Sequence, residues 1–130
     1  MIDMDMTLNE YQDQCRRTQR TDLPLWSLRE HALFGLASEV GEIHGLHQKV
    51  HQGHPLDEQE LMLECGDLAW FLCELLDCYG MTFDEVARAN IEKLRVRYKK
   101  AFTAEESKAR RDVKKGEKAR HYAKGEGHRG

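Results

Sequence analysis

A helix-capping pattern recurs five times in this chain of 130 residues. In each copy a Ser, Thr or Asp stands three residues before a Glu, and the two side chains can then satisfy backbone N–H groups at the start of a helix. The five pairs are Thr7/Glu10, Ser27/Glu30, Asp57/Glu60, Thr82/Glu85 and Thr103/Glu106. Boxes at such intervals predict a chain built from successive helices.

Turn residues agree with these helix starts. Gly53 followed by Pro55 ends the second predicted helix, and Gly80 ends the third. The five Val, three Ile and five Thr are too few β-branched residues for a sheet-dominated fold. The predicted helices cover residues 8–19, 28–51, 58–79 and 83–100, with a weaker fifth from residue 104.

Short connections make the second, third and fourth predicted helices antiparallel neighbours. We therefore expect an all-α fold, with an antiparallel four-helix bundle core in a domain over residues 1–103. Oligomerisation is expected to complete the bundle. Residues 104–130 are expected to form a basic C-terminal tail that is partly disordered or helical.

The net charge of −3 is unevenly distributed. Residues 1–103 contain 11 Lys/Arg and 18 Asp/Glu, a balance of −7, whereas residues 104–130 contain 9 and 5, a balance of +4. The tail could attract phosphates, but a solubilising role is the simpler interpretation. We do not expect nucleic acid as a partner.

The sequence favours a cytoplasmic protein without a membrane partner. Its longest apolar run, residues 68–73, is six residues long, whereas a bilayer span needs roughly 20. Residues 1–6 lack the basic start and apolar segment of a secretory signal. The four cysteines form no C-x-x-C pair, and we interpret them as reduced, mostly buried, small hydrophobic residues.

Paired carboxylates lie at the margin of the apolar stripe on two predicted helices. Glu39 and Glu42 are three residues apart on the second helix, and Glu64 and Asp67 have the same spacing on the third. If the helices are antiparallel neighbours, four carboxylates meet, and their repulsion requires a compensating cation. An all-oxygen cluster suits a hard divalent ion, with Mg²⁺ the first choice and Mn²⁺ a substitute.

A polar column follows on the fourth predicted helix. Asn90, Lys93 and Arg97 are spaced i, i+3, i+7 and therefore share a face. An amide and two cations beside a metal cluster suit a polyphosphate substrate. Taken alone, the two cations would be interpreted as a solvated face.

Other candidate sites have simpler interpretations. A di-iron centre is disfavoured because neither Glu39 nor Glu64 has a His three residues on. A partly buried or interface patch is preferred over a zinc site for the histidine string His44, His47, His51 and His54. Trp70 is expected to pack in the core or at a subunit interface, and Trp26 could equally pack or stack on a base.

Three segments resemble one protein family. Residues 35–43 (GLASEVGEI), 64–72 (ECGDLAWFL) and 90–98 (NIEKLRVRY) are similar to the signature of MazG-like nucleoside triphosphate pyrophosphohydrolases. That all-α superfamily also includes dimeric dUTPases and phosphoribosyl-ATP pyrophosphohydrolases. The resemblance extends over residues 7–102 and leaves the tail without an assigned role.

The resemblance implies Mg²⁺-dependent hydrolysis of a nucleoside triphosphate to its monophosphate and pyrophosphate by a homodimer or homotetramer. Glu39, Glu42, Glu64 and Asp67 would hold the metal, and Asn90, Lys93 and Arg97 would contact the substrate. We expect in-line attack of an activated water on the α-phosphorus, with Glu39 or Glu42 as the catalytic carboxylate.

Two alternatives stay open. A related pyrophosphohydrolase could act on another nucleotide, such as dUTP, dUDP or phosphoribosyl-ATP. A non-catalytic helical interaction module could instead use its acidic body and basic tail to bind partners. Only the enzyme predicts that Mg²⁺ stabilises the fold, because a ligand that binds only the folded state raises its stability.

Overall fold

The chain is all-helical in the computed structural model, which describes residues 5–113. No strand occurs in this range, so the predicted all-α class is confirmed. No helix within it is long and apolar enough to cross a membrane. The helices are α1 (Leu8–Arg16), α2 (Leu25–His51), α3 (Glu58–Cys78), α4 (Phe83–Arg97) and α5 (Ala104–Ala109).

Four of the five capping pairs act at helix starts. Thr7 and Glu10 bond each other's backbone N–H groups at 3.1 and 2.7 Å, and Thr82 and Glu85 do the same. The side chains of Asp57 and Thr103 accept from the backbone N–H three residues on.

The predicted start of the second helix is wrong by three residues. Pro24 is the N-cap of α2, and its carbonyl accepts from the N–H groups of Ser27 and Leu28. Proline has no N–H group to leave unsatisfied and its φ suits a helix start, so the helix begins directly after it. The Ser27/Glu30 pair therefore lies inside the helix.

The helix ends follow the glycine signals. Gly53 and Gly80 have φ of +93° and +64°, a left-handed conformation that glycine adopts at low cost. By contrast, α1 and α4 each end three residues before the predicted position. After α1, residues 17–19 continue only as tight turns, in which each N–H bonds to the carbonyl three residues back.

The chain divides into two compact units, with the division after Val86 inside α4. In the first unit, α2 and α3 are antiparallel, because His31 contacts Glu74 while Glu39, two turns further along α2, meets Asp67. Between these pairs Phe71 lies against Gly35, where an added Cβ would come within 2.1 Å of the ring. This close approach sets the spacing of the two helices.

The helix α1 packs on α3 through a buried amide. Gln12, 1 % exposed, donates to Asp77 Oδ1 and to the Met81 carbonyl, and its oxygen accepts from the backbone N–H of Phe83.

All four cysteines are free thiols. Cys15 and Cys73 are buried as predicted, but Cys78 is only half-buried and Cys65 is exposed.

The second unit contains the rest of α4 and α5. Arg97 donates from Nε and Nη2 to the two Asp112 oxygens at 2.7 and 2.8 Å. From residue 87 onward there are 15 Lys/Arg and 6 Asp/Glu, against 5 and 17 before it. The charge therefore changes sign at the division after Val86, before the predicted tail begins. Residues 114–130 of that tail lie outside the described residues.

Candidate metal centre

Three of the four predicted carboxylates converge between α2 and α3. Glu39, Glu64 and Asp67 each place one carboxylate oxygen within 4.8 Å of the others. The antiparallel packing brings them together, since Glu39 lies opposite the turn of α3 that carries the other two. Glu39 and Glu64 are half-buried, whereas Asp67 is exposed and open to solvent. We call these three residues the carboxylate trio.

Glu42 lies one helical turn beyond Glu39 and outside the trio. Its charge nevertheless reaches Glu64, and both side chains line a cleft of about 610 Å³ that extends to the loop between α2 and α3. The structure therefore places Glu42 at the rim of the candidate site, beside the carboxylate trio.

The carboxylates repel one another. A hydrogen bond with Glu39, followed by burial and by the charges of Glu39 and Glu42, raises the pKa of Glu64, while a hydrogen bond with Glu60 opposes this rise. No ion pair within residues 5–113 involves the trio or Glu42. These four carboxylates therefore have no salt-bridge partner within the described residues.

The donor set fits a hard divalent cation. The trio offers only oxygen ligands, and Mg²⁺ is commonly held by one or two carboxylates together with water and substrate phosphates. The exposed side of Asp67 leaves room for those further ligands. A cation here would replace the proton that the raised pKa of Glu64 favours.

Two charged residues of the cleft were missed by the sequence analysis. Lys49 and Glu60 line the cleft with Glu42 and Glu64. Both could have been found from helical spacing, because Lys49 is seven residues after Glu42 and Glu60 is four before Glu64. Lys49 adds a cation near the carboxylates that could face a phosphate.

The predicted substrate-binding column lies in the second unit. Asn90 and Lys93 are exposed on α4. Asp112 holds Arg97 in a two-point ion pair, which raises the pKa of the guanidinium and lowers that of Asp112 to about 2. Two of the Arg97 donor atoms are therefore already engaged, which weakens its predicted contact with substrate.

The side chains of His44, His47, His51 and His54 are all exposed, so they are not partly buried within the described chain, and the alternative of an interface patch stays a prediction. In the described chain the trio is the only group of three or more possible metal ligands, and the histidines do not form a three-ligand site.

Trp70 is half-buried, donates from Nε1 to Thr18 Oγ1 at 2.9 Å and packs edge-on against Phe71. Trp26 is 64 % exposed.

Comparison of the chain with protein-family models, curated proteins and solved structures finds no match. The candidate site is a trio of carboxylates without an ion pair in the described chain, on two antiparallel helices beside an open cleft.

Proposed function

We propose that the chain is an Mg²⁺-dependent nucleoside triphosphate pyrophosphohydrolase of the MazG-like type, with Mn²⁺ as a substitute metal. It would cleave the α–β phosphate bond to give a nucleoside monophosphate and pyrophosphate. The observation that carries the proposal is the convergence of Glu39, Glu64 and Asp67 within 4.8 Å without an ion pair in the described chain.

In this mechanism Glu39, Glu64 and Asp67 hold the metal. When bound, Mg²⁺ supplies positive charge to the phosphates and acidifies water. Of the two candidates, Glu39 and Glu42, we assign the orientation and deprotonation of the attacking water to Glu42, because Glu39 is assigned to the metal. The water oxygen bonds to the α-phosphorus in line, and the bond to the bridging oxygen breaks as pyrophosphate leaves.

Cationic and amide groups complete the proposed substrate site. Lys49 in the cleft is a candidate for contact with the leaving pyrophosphate. Asn90 and Lys93 are proposed to contact substrate, and Arg97 has the smaller role because of its pairing with Asp112.

We further infer a cytoplasmic homodimer or homotetramer in which a second copy completes an antiparallel four-helix bundle. Support comes from exposed apolar side chains on α2, where Trp26, Leu33 and Val40 recur at seven-residue spacing on one stripe and are 64, 52 and 40 % exposed. Light scattering of the purified chain measures its copy number.

The proposal is tested by pyrophosphate release from canonical and modified NTPs and dNTPs, with and without Mg²⁺. Asp67→Asn and Glu42→Gln should lower the rate about a hundredfold to a thousandfold, because each removes a charge used in the transition state. Glu30→Gln, an exposed carboxylate on the same helix as Glu42, is the matched control and should have little effect. In ¹⁸O-labelled water the label should enter the monophosphate.

Two results contradict the proposal. Label in the pyrophosphate would place the attack on the wrong phosphorus. Absence of both pyrophosphate release and Mg²⁺-dependent stabilisation would favour the helical interaction module instead. Pyrophosphate release confined to dUTP or phosphoribosyl-ATP, or orthophosphate release from dUDP, would narrow the proposal to one of the related pyrophosphohydrolases.

A further inference from the structure

A histidine and a buried glutamate form a close pair on the same helices as the carboxylate trio. His31 Nδ1 lies 2.6 Å from Glu74 Oε1. With an ionised Glu74, whose oxygens can only accept, Nδ1 would donate in this pair, and the tautomer of a neutral ring would be fixed. The His31 side chain is 46 % exposed, whereas that of Glu74 is 2 % exposed. The buried Glu74 carboxylate thus orients an imidazole that is accessible to solvent.

The His31–Glu74 pair is poorly suited to a role that is only stabilising. Glu74 Oε2 is buried and has no hydrogen-bond partner in the described chain. An unsatisfied buried polar atom costs free energy, and an apolar side chain of similar size would pack there without that cost. Polar groups retained at such a cost are typical of functional positions.

The pair lies in line with the trio. His31, Gly35 and Glu39 follow one another at four-residue steps along α2, so His31 is about 12 Å from Glu39 at 1.5 Å per residue. The half-buried Phe71 ring lies between them, in contact with Gly35 and 5.6 Å from the His31 ring. This spacing is too long for shared chemistry at the metal but suits the nucleoside of a nucleotide whose phosphates bind at the trio.

We propose that His31, oriented by Glu74, binds the nucleoside moiety of the substrate. The neutral imidazole presents Nε2 as an acceptor for a sugar hydroxyl or a base N–H group, and Phe71 provides an apolar surface beside it. Glu74 is a positioning residue that acts through His31. The inference rests on the proposed function, because it assigns the phosphates to Glu39, Glu64 and Asp67.

Calorimetric titration with two kinds of probe separates nucleoside binding from phosphate binding. The probes are the Mg²⁺ complexes of α,β-imido nucleoside triphosphates, in ribo and deoxy forms, and of inorganic tripolyphosphate, which has no nucleoside. His31→Ala should weaken the best nucleotide about tenfold and tripolyphosphate less than about twofold. Glu74→Gln should show the same selectivity with a smaller loss, and His44→Ala, an exposed histidine elsewhere on α2, should change neither.

A second variant separates binding from folding. In His31→Asn the amide nitrogen overlaps Nδ1 and can keep the bond to Glu74, while the Nε2 acceptor is lost. Its melting temperature should stay near that of the unchanged chain, and its nucleotide affinity should fall as in His31→Ala.

The outcomes distinguish the two proposals. Equal weakening of nucleotide and tripolyphosphate, or unchanged nucleotide affinity, overturns the role of His31 and leaves the pyrophosphohydrolase intact. Failure of the unchanged chain to bind either probe with Mg²⁺ contradicts the proposed function, and the role of His31 falls with it.

Discussion

The helix α3 carries aspartates in two opposite situations. Asp77, near its C-terminal end, is surrounded by donors from α1 and the turn that follows it. Its Oδ1 accepts from Gln12 Nε2 and from Arg16 Nε and Nη2 at 2.7, 3.1 and 2.8 Å, and its Oδ2 accepts from Gln19 Nε2 at 3.0 Å. This carboxylate joins α1 to α3 and is fully satisfied within the chain.

Asp67, ten residues earlier, faces other carboxylates instead. Its oxygen lies within 4.8 Å of those of Glu39 and Glu64, and the pKa of Glu64 is raised by a hydrogen bond with Glu39 and by the surrounding negative charge. The fold thus supplies Asp77 with amide and guanidinium donors, whereas the carboxylates of the trio face other carboxylates and have no ion pair within the described residues. This difference supports the proposal of a cation at the trio.

The largest expected effect on stability is that of an Asp→Asn substitution at Asp77, and the same substitution at Asp67 is its comparison. Asp77→Asn replaces an acceptor oxygen with a donor that faces Gln12, Arg16 and Gln19, and should lower the free energy of unfolding by about 2–3 kcal/mol. Asp67→Asn removes a charge that faces two carboxylates and should leave stability unchanged or slightly higher. Urea denaturation measures both.

Equal destabilisation by the two variants would break the contrast between Asp77 and Asp67. It would mean that the trio is also a structural network, and the case for a metal would lose its main support. Arg16→Lys is a useful companion, because it keeps the charge near Asp77 but loses the two-point geometry.

Local rules predicted most of the fold. Capping pairs and glycine stops act within a few residues, so the helices came out near their observed bounds. The exception at Ser27 arose because Pro24, only three residues before it, offers a competing start. The division after Val86 was not predicted, since it falls inside a helix where no turn residue or capping signal marks it.

The candidate site was predictable only in part. Helical spacing identified Glu39, Glu64 and Asp67, because side chains three or four residues apart share a face. Pairs that depend on tertiary contact were missed. His31 and Glu74 are 43 residues apart in sequence, and Arg97 and Asp112 meet only because the segment after α4 folds back. A single sequence does not specify such partners.

The Asp112 carboxylate, in the second unit, extends the comparison between Asp77 and Asp67 to a third aspartate. Arg97 lowers the pKa of Asp112 to about 2, against an ordinary value of about 4. Because the folded pKa is depressed, the stabilisation by this pair is complete above about pH 4 and is lost as the pH falls toward about 2. The NMR signal of Arg97 Nε–H should shift with a midpoint near pH 2, and this step should be missing in Asp112→Asn. A midpoint near the ordinary value would show that the pair is weak in solution.

The smallest effect, and the sharpest test of the contrast, is expected from Glu64→Gln. The raised pKa of Glu64 means that its charge is disfavoured in the fold, so the neutral amide, which can still donate to Glu39, should slightly raise the melting temperature without metal. Added Mg²⁺ should raise the melting temperature of the unchanged chain but not of this variant, since a ligand is lost. Glu58→Gln, an exposed carboxylate at the start of α3, should keep the Mg²⁺ response. A lower melting temperature for metal-free Glu64→Gln would show that the charge of Glu64 is stabilised by the chain itself, as that of Asp77 is, and that the trio needs no cation to fold.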